Sequence, residues 1–336
     1  RARSRRLELT DRLPNRRDPD ASGRGGEHSN SVELPGLGDL PWELPHTFLG
    51  LDEVTASFAE AAAVILPVPY EATTSWGGGT RLGPRAILEA SRYVELYDQE
   101  FDCEPAQLLG IHTLPGLELS RAGPTAAMEE LRNAYARISD VCGDRFLVML
   151  GGEHSISAAA VLAQADRSNE RLTVLQLDAH ADLRLQYEGT ADSHASAMAR
   201  VLEYADVVSV GVRGVSQEEV NTSSSQAGST LIWADEMWKS DAWMDRALDA
   251  LGPKVYLTFD VDYFDPAVVP STGTPEPGGA SWYETLRFLR RVLTEREVVA
   301  ADVVELAPAP GIHAPDFLVA KLVYKLINYR FWDRMP

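Results

Sequence analysis

Residues 172–183 read LTVLQLDAHADL, an apolar stretch that runs directly into Asp178, His180 and Asp182 at positions i, i+2 and i+4. In extended backbone alternate side chains share one face, so these three groups can converge on a single point beyond a strand end. A second apolar run, 255–259, delivers Asp260 and Asp262 in FDVDYFDP with the same alternation. A third, 146–150, leads through Gly151 and Gly152 to Glu153 and His154. If the three strand ends meet, four aspartates and two histidines share one site. Carboxylates that close repel by about 1 kcal/mol per pair even in bulk water, and by more where desolvated, so such a cluster needs cations to persist. The economical reading is a two-metal site. Its oxygen-rich donor set with imidazole points to Mn²⁺, with Ni²⁺, Co²⁺ or Zn²⁺ as alternatives.

Working outward, apolar runs at 63–68, 146–150, 172–177, 207–212, 255–259 and 298–304 alternate with helix-periodic stretches at 84–95, 125–141, 155–165, 193–204, 281–293 and 314–329. Strand and helix repeated in this order predict an α/β protein, a three-layer αβα arrangement with a central, mostly parallel sheet covered on both faces. Ligands of such sheets sit outside the carboxyl ends of the strands, where every polar cluster named above falls. Residues 1–42 differ: rich in Arg, Pro, Gly, Ser and Asp and without apolar periodicity, they are expected to form a flexible extension, leaving 43–336 as one catalytic domain. Arg1, Arg3, Arg5, Arg6, Arg12, Arg16 and Arg17 give the extension a basic start that suggests organelle targeting, against which stand Glu8 and Asp11. With no initiating Met, the native start is expected upstream of Arg1.

The net charge of −19 disfavours nonspecific binding to nucleic acid or an anionic membrane and suits a small cationic ligand. Cys103 and Cys142 are too few for a disulfide framework and lack zinc-ligand spacing, so a reducing compartment, the cytoplasm, is expected. No uninterrupted apolar run approaches the roughly 20 residues of a membrane span.

The motifs GGEHS at 151–155, DAHAD at 178–182, FDVDYFDP at 259–266, TGTPEPGG at 272–279 and the VVEL run ending at Leu306 resemble, in order and approximate spacing, those of the ureohydrolase family, the arginases and agmatinases. GGGTRLGPRAILEAS at 77–91 looks like the agmatinase branch in particular, and the resemblance extends from about residue 60 to the C-terminus. It implies that His154, Asp178, His180, Asp182, Asp260 and Asp262 ligate two ions per subunit, Mn²⁺ or alternatively Ni²⁺, with Asp178 and Asp260 bridging them. It further implies an activated water that attacks a guanidinium carbon and leaves urea. By the same resemblance His194 carries a proton to the leaving amine, Glu305 binds the guanidinium, Thr274 helps orient Glu305, and Asp182 counts among the catalytic groups. A homotrimer or homohexamer is the family-level expectation.

For the substrate, the residues after DAHAD, Leu183 to Gly189, show no evident site for an amino acid carboxylate, which demotes arginine. Arg184 is read first as an ion-pair partner of Glu188 four residues on, and second as a holder of a carboxylate such as that of guanidinobutyrate. Agmatine, giving putrescine, is the leading substrate; guanidinobutyrate, guanidine and other substituted guanidines are alternatives. A noncatalytic partner subunit would be expected to have lost ligands, and a deacetylase of the related fold to hold one zinc; all six ligands are retained here. By the resemblance Glu153, though inside the metal motif, is not expected to ligate; His46, His112 and His313 are expected to serve packing or surface roles, with the pocket mouth as a second reading for His313, and 77–79 a loop near the site.

Overall fold

The computed structural model describes residues 43–52 and 54–336; the expectations for residues 1–42 lie outside them. Eight strands form one sheet: β1 Ala63–Val68, β2 Ile111–Thr113, β3 Phe146–Gly151, β4 Thr173–Leu177, β5 Asp206–Val212, β6 Ser229–Trp233, β7 Lys254–Asp260 and β8 Glu297–Val304. Their order is β2-β1-β3-β8-β7-β4-β5-β6 and every pairing is parallel. The helices are α1 Gly83–Ser91, α2 Pro105–Leu109, α3 Pro124–Cys142, α4 Ser155–Arg167, α5 Ala197–Val201, α6 Gln217–Ser225, α7 Ala234–Met237, α8 Ala242–Ala250, α9 Trp282–Glu295 and α10 Ala314–Arg330.

The two-residue alternation of the strands divides the core into two layers. On β3, Phe146, Val148 and Leu150 belong to the layer that also holds Ile87 of α1, Trp243 and Leu248 of α8, Phe288 of α9 and Val323 of α10. Leu147 and Met149 face the other way, toward Leu131 and Tyr135 of α3, Ile156 and Val161 of α4 and Met198 of α5. Both faces are therefore covered, which is why the central strands are near-continuous apolar runs, broken by single buried polar residues such as Gln176, Ser209, Thr258 and Asp302, instead of alternating with exposed polar residues. The long helices follow capping and periodicity: α9 opens at Ser281, whose amide donates to Glu284 at 3.5 Å, and buries Leu286, Phe288, Leu289, Val292 and Leu293 on one side.

Sequence pattern and structure part at the edges. The short strands β2 and β6 escape the apolar-run reading because edge strands need only one buried neighbour, and β6 is mostly half-buried. The segment 193–204, expected as one helix, is a 3₁₀ turn at His194–Ser196 followed by the five-residue α5. His112, expected to serve packing, lies on β2 with Nδ1 at 2.7 Å from the Ala56 carbonyl. Cys103 and Cys142 are free thiols. Among the described residues no helix is long and apolar enough to cross a membrane.

The sheet order has a consequence for the site. β3, β8, β7 and β4 are consecutive neighbours in space although β3 and β4 are followed by β5 and β6 before the chain returns to insert β7 and β8 between them. Parallel pairing brings all four carboxyl ends to one edge, the position where the direction of winding reverses. The turn after β3 is held against the first loop: the Gly152 amide donates to the Val68 carbonyl at 3.0 Å and the Glu153 amide to the Tyr70 carbonyl at 2.9 Å. A Cβ on Gly152 would lie 1.8 Å from the Tyr70 carbonyl oxygen. Gly152→Ala is accordingly expected to lower the stability of the metal-free protein by at least about 3 kcal/mol, the upper range for forced overpacking, measured by chemical unfolding.

Candidate metal centre and active site

The four adjacent strand ends deliver their polar residues in turn. β7 ends on Asp260 and passes into a one-turn 3₁₀ segment carrying Asp262; β4 is followed by Asp178, β3 by Gly152, Glu153 and His154, and β8 by Glu305. Asp182 and Glu305 adopt φ of 51° and 65°, in the left-handed region that non-glycine residues occupy sparingly. Such strain is commonest where a side chain is held for function.

Five of the six expected ligands come together as two groups of donors, His154–Asp178–Asp260 and Asp178–His180–Asp262; the sixth, Asp182, belongs to neither group and stands beside His154. Asp178 belongs to both. Its Oδ2 lies 3.0 Å from His154 Nδ1 and its Oδ1 3.6 Å from His180 Nδ1, so one carboxylate turns an oxygen to each group. His154 Nδ1 also lies 2.9 Å from Asp182 Oδ2 and 3.4 Å from Asp260 Oδ2, and His180 Nδ1 lies 3.0 Å from Asp262 Oδ2. His154 Nδ1 is buried yet aligned for a hydrogen bond with none of its three oxygens. A ring nitrogen set among three carboxylate oxygens without a hydrogen bond to any of them fits the donor set of a cation.

Charge leads to the same place. Burial pushes the Asp182 and Asp260 carboxyls up, helped in both by Asp178 and in Asp260 more strongly by Asp262; Asp182 rises to about 7 and Asp260 well above the usual range. Burial would lower both histidines, but the surrounding carboxylates outweigh it, raising His154 well above the ordinary range and His180 to about 12. Among the described residues, no Lys or Arg forms an ion pair with these four aspartates, so protons on imidazole and carboxyl offset part of their charge. A pair of divalent cations fits the donor set by replacing them.

Several groups that the motifs do not name hold these ligands in place. His154 Nε2 meets Thr258 Oγ1 at 2.8 Å, Thr258 donates to Asp302 Oδ1 at 2.6 Å, and Tyr256 donates to Asp302 Oδ2 at 2.7 Å. Gln176 Nε2 donates to Asp178 Oδ2 at 2.8 Å, and Ser209 donates to Gln176 Oε1 at 2.6 Å. All five lie on strands, buried, and the legible signal was a polar residue inside an otherwise apolar run. Partners of this kind fix ring orientation and ligand basicity. The Arg213 guanidinium gathers the carbonyls of Gly211, Asp262, Phe264 and Glu276, tying the β5, β7 and TPEPGG segments together.

A cavity of about 340 Å³ opens over this centre, lined among others by His154, His180, Asp182, Asp260, His194, Glu305 and Thr274. Glu305 Oε1 accepts the His154 amide at 2.6 Å. Burial raises the Glu305 carboxyl well above the usual range, with the Glu153 charge adding to it. His194 is held by Thr73, 3.2 Å from its Nδ1, and by Ser75, 2.8 Å from its Nε2, and burial lowers its pKa. Glu153 turns away from the ligands and accepts four hydrogen bonds from Ala72, Thr73 and Ser155. His313 stands exposed at the start of α10 and does not line the cavity. The ion pair expected between Arg184 and Glu188 is replaced by another: the segment is not helical, and Arg184 Nε lies 3.7 Å from Glu219 Oε2 instead.

Comparison with known proteins agrees with this geometry. Residues 61–328 match the model of the Arginase family. An N(1)-aminopropylagmatine ureohydrolase of Synechocystis sp. is 40% identical over 295 residues, covering 85% of this chain and 94% of the relative. An agmatinase of Pyrococcus horikoshii is 31% identical, covering 82% and 94%. The crystal structure of the agmatine ureohydrolase of Thermoplasma volcanium superposes with a TM-score of 0.72 at 27% identity, covering 82% of this chain and 92% of that one. With an eight-stranded parallel sheet, a shared-aspartate donor cluster at its carboxyl edge and matches of this extent, the chain belongs to the arginase family of ureohydrolases and to its agmatinase branch.

Proposed function

We propose that residues 43–336 form a catalytic domain that hydrolyses an agmatine-type guanidino compound to urea and an amine, with two Mn²⁺ per subunit, or Ni²⁺ in their place. The observation that carries this reading is Asp178, whose two oxygens face separate His/Asp donor groups, and three members of those groups, His154, His180 and Asp260, line one cavity with Glu305. When bound, the cation pair supplies the charge that renders a water acidic near neutral pH. Glu305 takes the planar guanidinium through charge-assisted, bidentate hydrogen bonds, and the substrate in turn provides the positive charge this buried carboxylate lacks. Thr274, on the same cavity wall, steadies the bound end. Asp182 keeps its carboxylate beside His154 and accepts a hydrogen bond from the attacking group. His194, kept neutral by burial, accepts a proton and hands it to the departing amine.

Specificity is argued from charge. Arg184 is the single Lys or Arg among the described cavity residues, and Glu219 lies beside it. A substrate carboxylate therefore meets no spare cation, which disfavours arginine and guanidinobutyrate. Glu276, half-buried on the cavity wall with its backbone carbonyl clamped by Arg213, instead suits an ammonium tail. Agmatine, giving putrescine, satisfies this, and so does N(1)-aminopropylagmatine; the 40% identical relative carries the latter in its name. A cytoplasmic homotrimer or homohexamer completes the proposal.

Loading the stripped protein separately with Mn²⁺ and Ni²⁺ and measuring urea is expected to give turnover of agmatine and N(1)-aminopropylagmatine well above guanidinobutyrate, guanidine and arginine; no urea from any of them under either metal defeats the proposal. Asp178→Asn is expected to reduce bound metal from about two ions per subunit to about one or fewer, because both donor groups lose the same charge; elemental analysis that finds full occupancy contradicts a shared role. Glu305→Gln should keep its metal while kcat/KM falls about a hundredfold, the worth of a charged hydrogen-bonded contact of about 3 kcal/mol. Steady-state kinetics beside metal analysis checks it, and loss of the ions would place Glu305 among the ligands.

A further inference from the structure

The hydrogen bonds that hold His194 begin at a carboxylate with no place among the ligands. Glu153 is fully buried. Its Oε2 accepts the amides of Ala72 and Thr73 at 2.5 and 2.7 Å, and its Oε1 accepts the hydroxyls of Thr73 and Ser155 at 2.8 and 2.7 Å. Four donors fill the four lone-pair sites of a carboxylate, which donates nothing. Thr73 has one hydroxyl proton, and it is committed to Glu153. Thr73 Oγ1 can then only accept from its two remaining neighbours, the His194 amide at 3.1 Å and the His194 ring Nδ1 at 3.2 Å. Nδ1 must therefore carry a proton. In a neutral imidazole the other nitrogen is then bare, and here that is Nε2, which meets Ser75 Oγ at 2.8 Å on the cavity wall.

We infer that Glu153, acting through Thr73, is a positioning residue that holds His194 in the Nδ1–H tautomer, so that Nε2 is the atom that receives and delivers the proton. The inference rests on the reading of His194 as proton carrier. With Nε2 bare, the ring takes the proton released by the attacking water and becomes an imidazolium whose Nδ1–H stays on Thr73. It returns the Nε2 proton to the amine nitrogen as the C–N bond breaks, and ends as it began. The opposite tautomer would set a nitrogen lone pair against the lone pairs of Thr73 Oγ1 and leave Nε2 unable to accept. Ser75 has one hydroxyl proton and two neighbours for it, His194 Nε2 at 2.8 Å and the Tyr187 hydroxyl at 3.1 Å. The bare Nε2 takes that proton, the Tyr187 hydroxyl then donates to Ser75 Oγ, and the Tyr187 ring stands edge-on to His194 at 5.4 Å. The same count explains why the loop after β1 reaches into the cavity at all, since Glu153 anchors it by two backbone amides.

A double-variant cycle on the metal-loaded full chain, with agmatine as substrate, tests this. Thr73→Val, which keeps the shape and removes the hydroxyl, is expected to lower kcat by about ten- to a hundredfold with KM and metal content unchanged, and Thr73→Ser to restore most of it. In a His194→Ala background Thr73→Val should cost nothing further, because a relay with its end removed has nothing left to position. Additive losses, or wild-type kcat in Thr73→Val while His194→Ala is impaired, overturn the relay; wild-type kcat in His194→Ala instead overturns the reading of His194 on which it stands. Thr73→Ala repeats the test should the valine variant not fold. A measurement independent of turnover is the ¹⁵N spectrum of histidine-labelled, zinc-loaded protein, with His194→Ala identifying the signal: a bare Nε2 is expected, and a bare Nδ1 sinks the inference.

Discussion

Four aspartates are forced together at the carboxyl edge of one sheet, and the electrostatic cost of that gathering governs the rest of the site. Asp178, Asp182, Asp260 and Asp262 are all buried, and two of them respond by holding their protons more tightly. Two histidines raised far above their ordinary range supply part of the missing charge. A folded chain can carry such a cluster only if the surrounding structure is stable enough to enforce it or a cation relieves it. Both conditions meet here: a core covered on both faces of the sheet, and donor atoms spaced to share Asp178 between two groups.

Enforcement is visible in the hydrogen bonds behind the ligands. Asp178 Oδ1 accepts the His180 amide at 2.6 Å, Asp260 Oδ1 the Asp262 amide at 2.9 Å, and Asp262 Oδ1 the Ala179 amide at 3.0 Å. Asp260 and Asp262 thus each spend one oxygen on the backbone and turn the other to a histidine, Asp178 keeps both oxygens toward the donor groups while Oδ1 also takes an amide, and the Asp262–Ala179 bond ties the ends of β7 and β4 together. Behind His154, the Thr258–Asp302–Tyr256 chain fills the space between strands with satisfied polar groups in place of a dry core. A buried network of this sort is tolerable because each member has a partner, and it leaves the imidazole little rotational freedom.

The cavity itself divides into a fixed floor and a more polar wall. Floor residues stand on strand ends, two of them in left-handed backbone that only dense surroundings sustain. The wall comes from loops at 74–77, 184–195 and 273–276 and from 214–219, which runs into the start of α6, and their ties run through Glu153, Arg213 and Glu219. Chemistry common to a family suits the floor, and selectivity among guanidino compounds suits the wall, where charge can change without disturbing the strands.

How much of this was legible in the chain depends on whether a signal was local. The central strands, the long helices and the alternation of Asp178, His180 and Asp182 are local: apolar runs and i, i+2 spacing state them directly. The edge strands β2 and β6 were not, since a strand with one buried neighbour needs no apolar run. Motif resemblance named His194 and Glu305, but neither residue type nor spacing told which atom of His194 faces Thr73 or that Arg184 would turn to Glu219. The sequence by itself determined the kind of sheet, the donor set and the need for cations, because backbone periodicity and side-chain chemistry are properties of short segments. Which strands stand side by side, which oxygen of Asp178 faces which histidine, and how Glu153 comes to share Thr73 with a ring forty-one positions away were decided by the tertiary structure alone, because insertion of β7 and β8 between β3 and β4 creates contacts that no stretch of the chain contains.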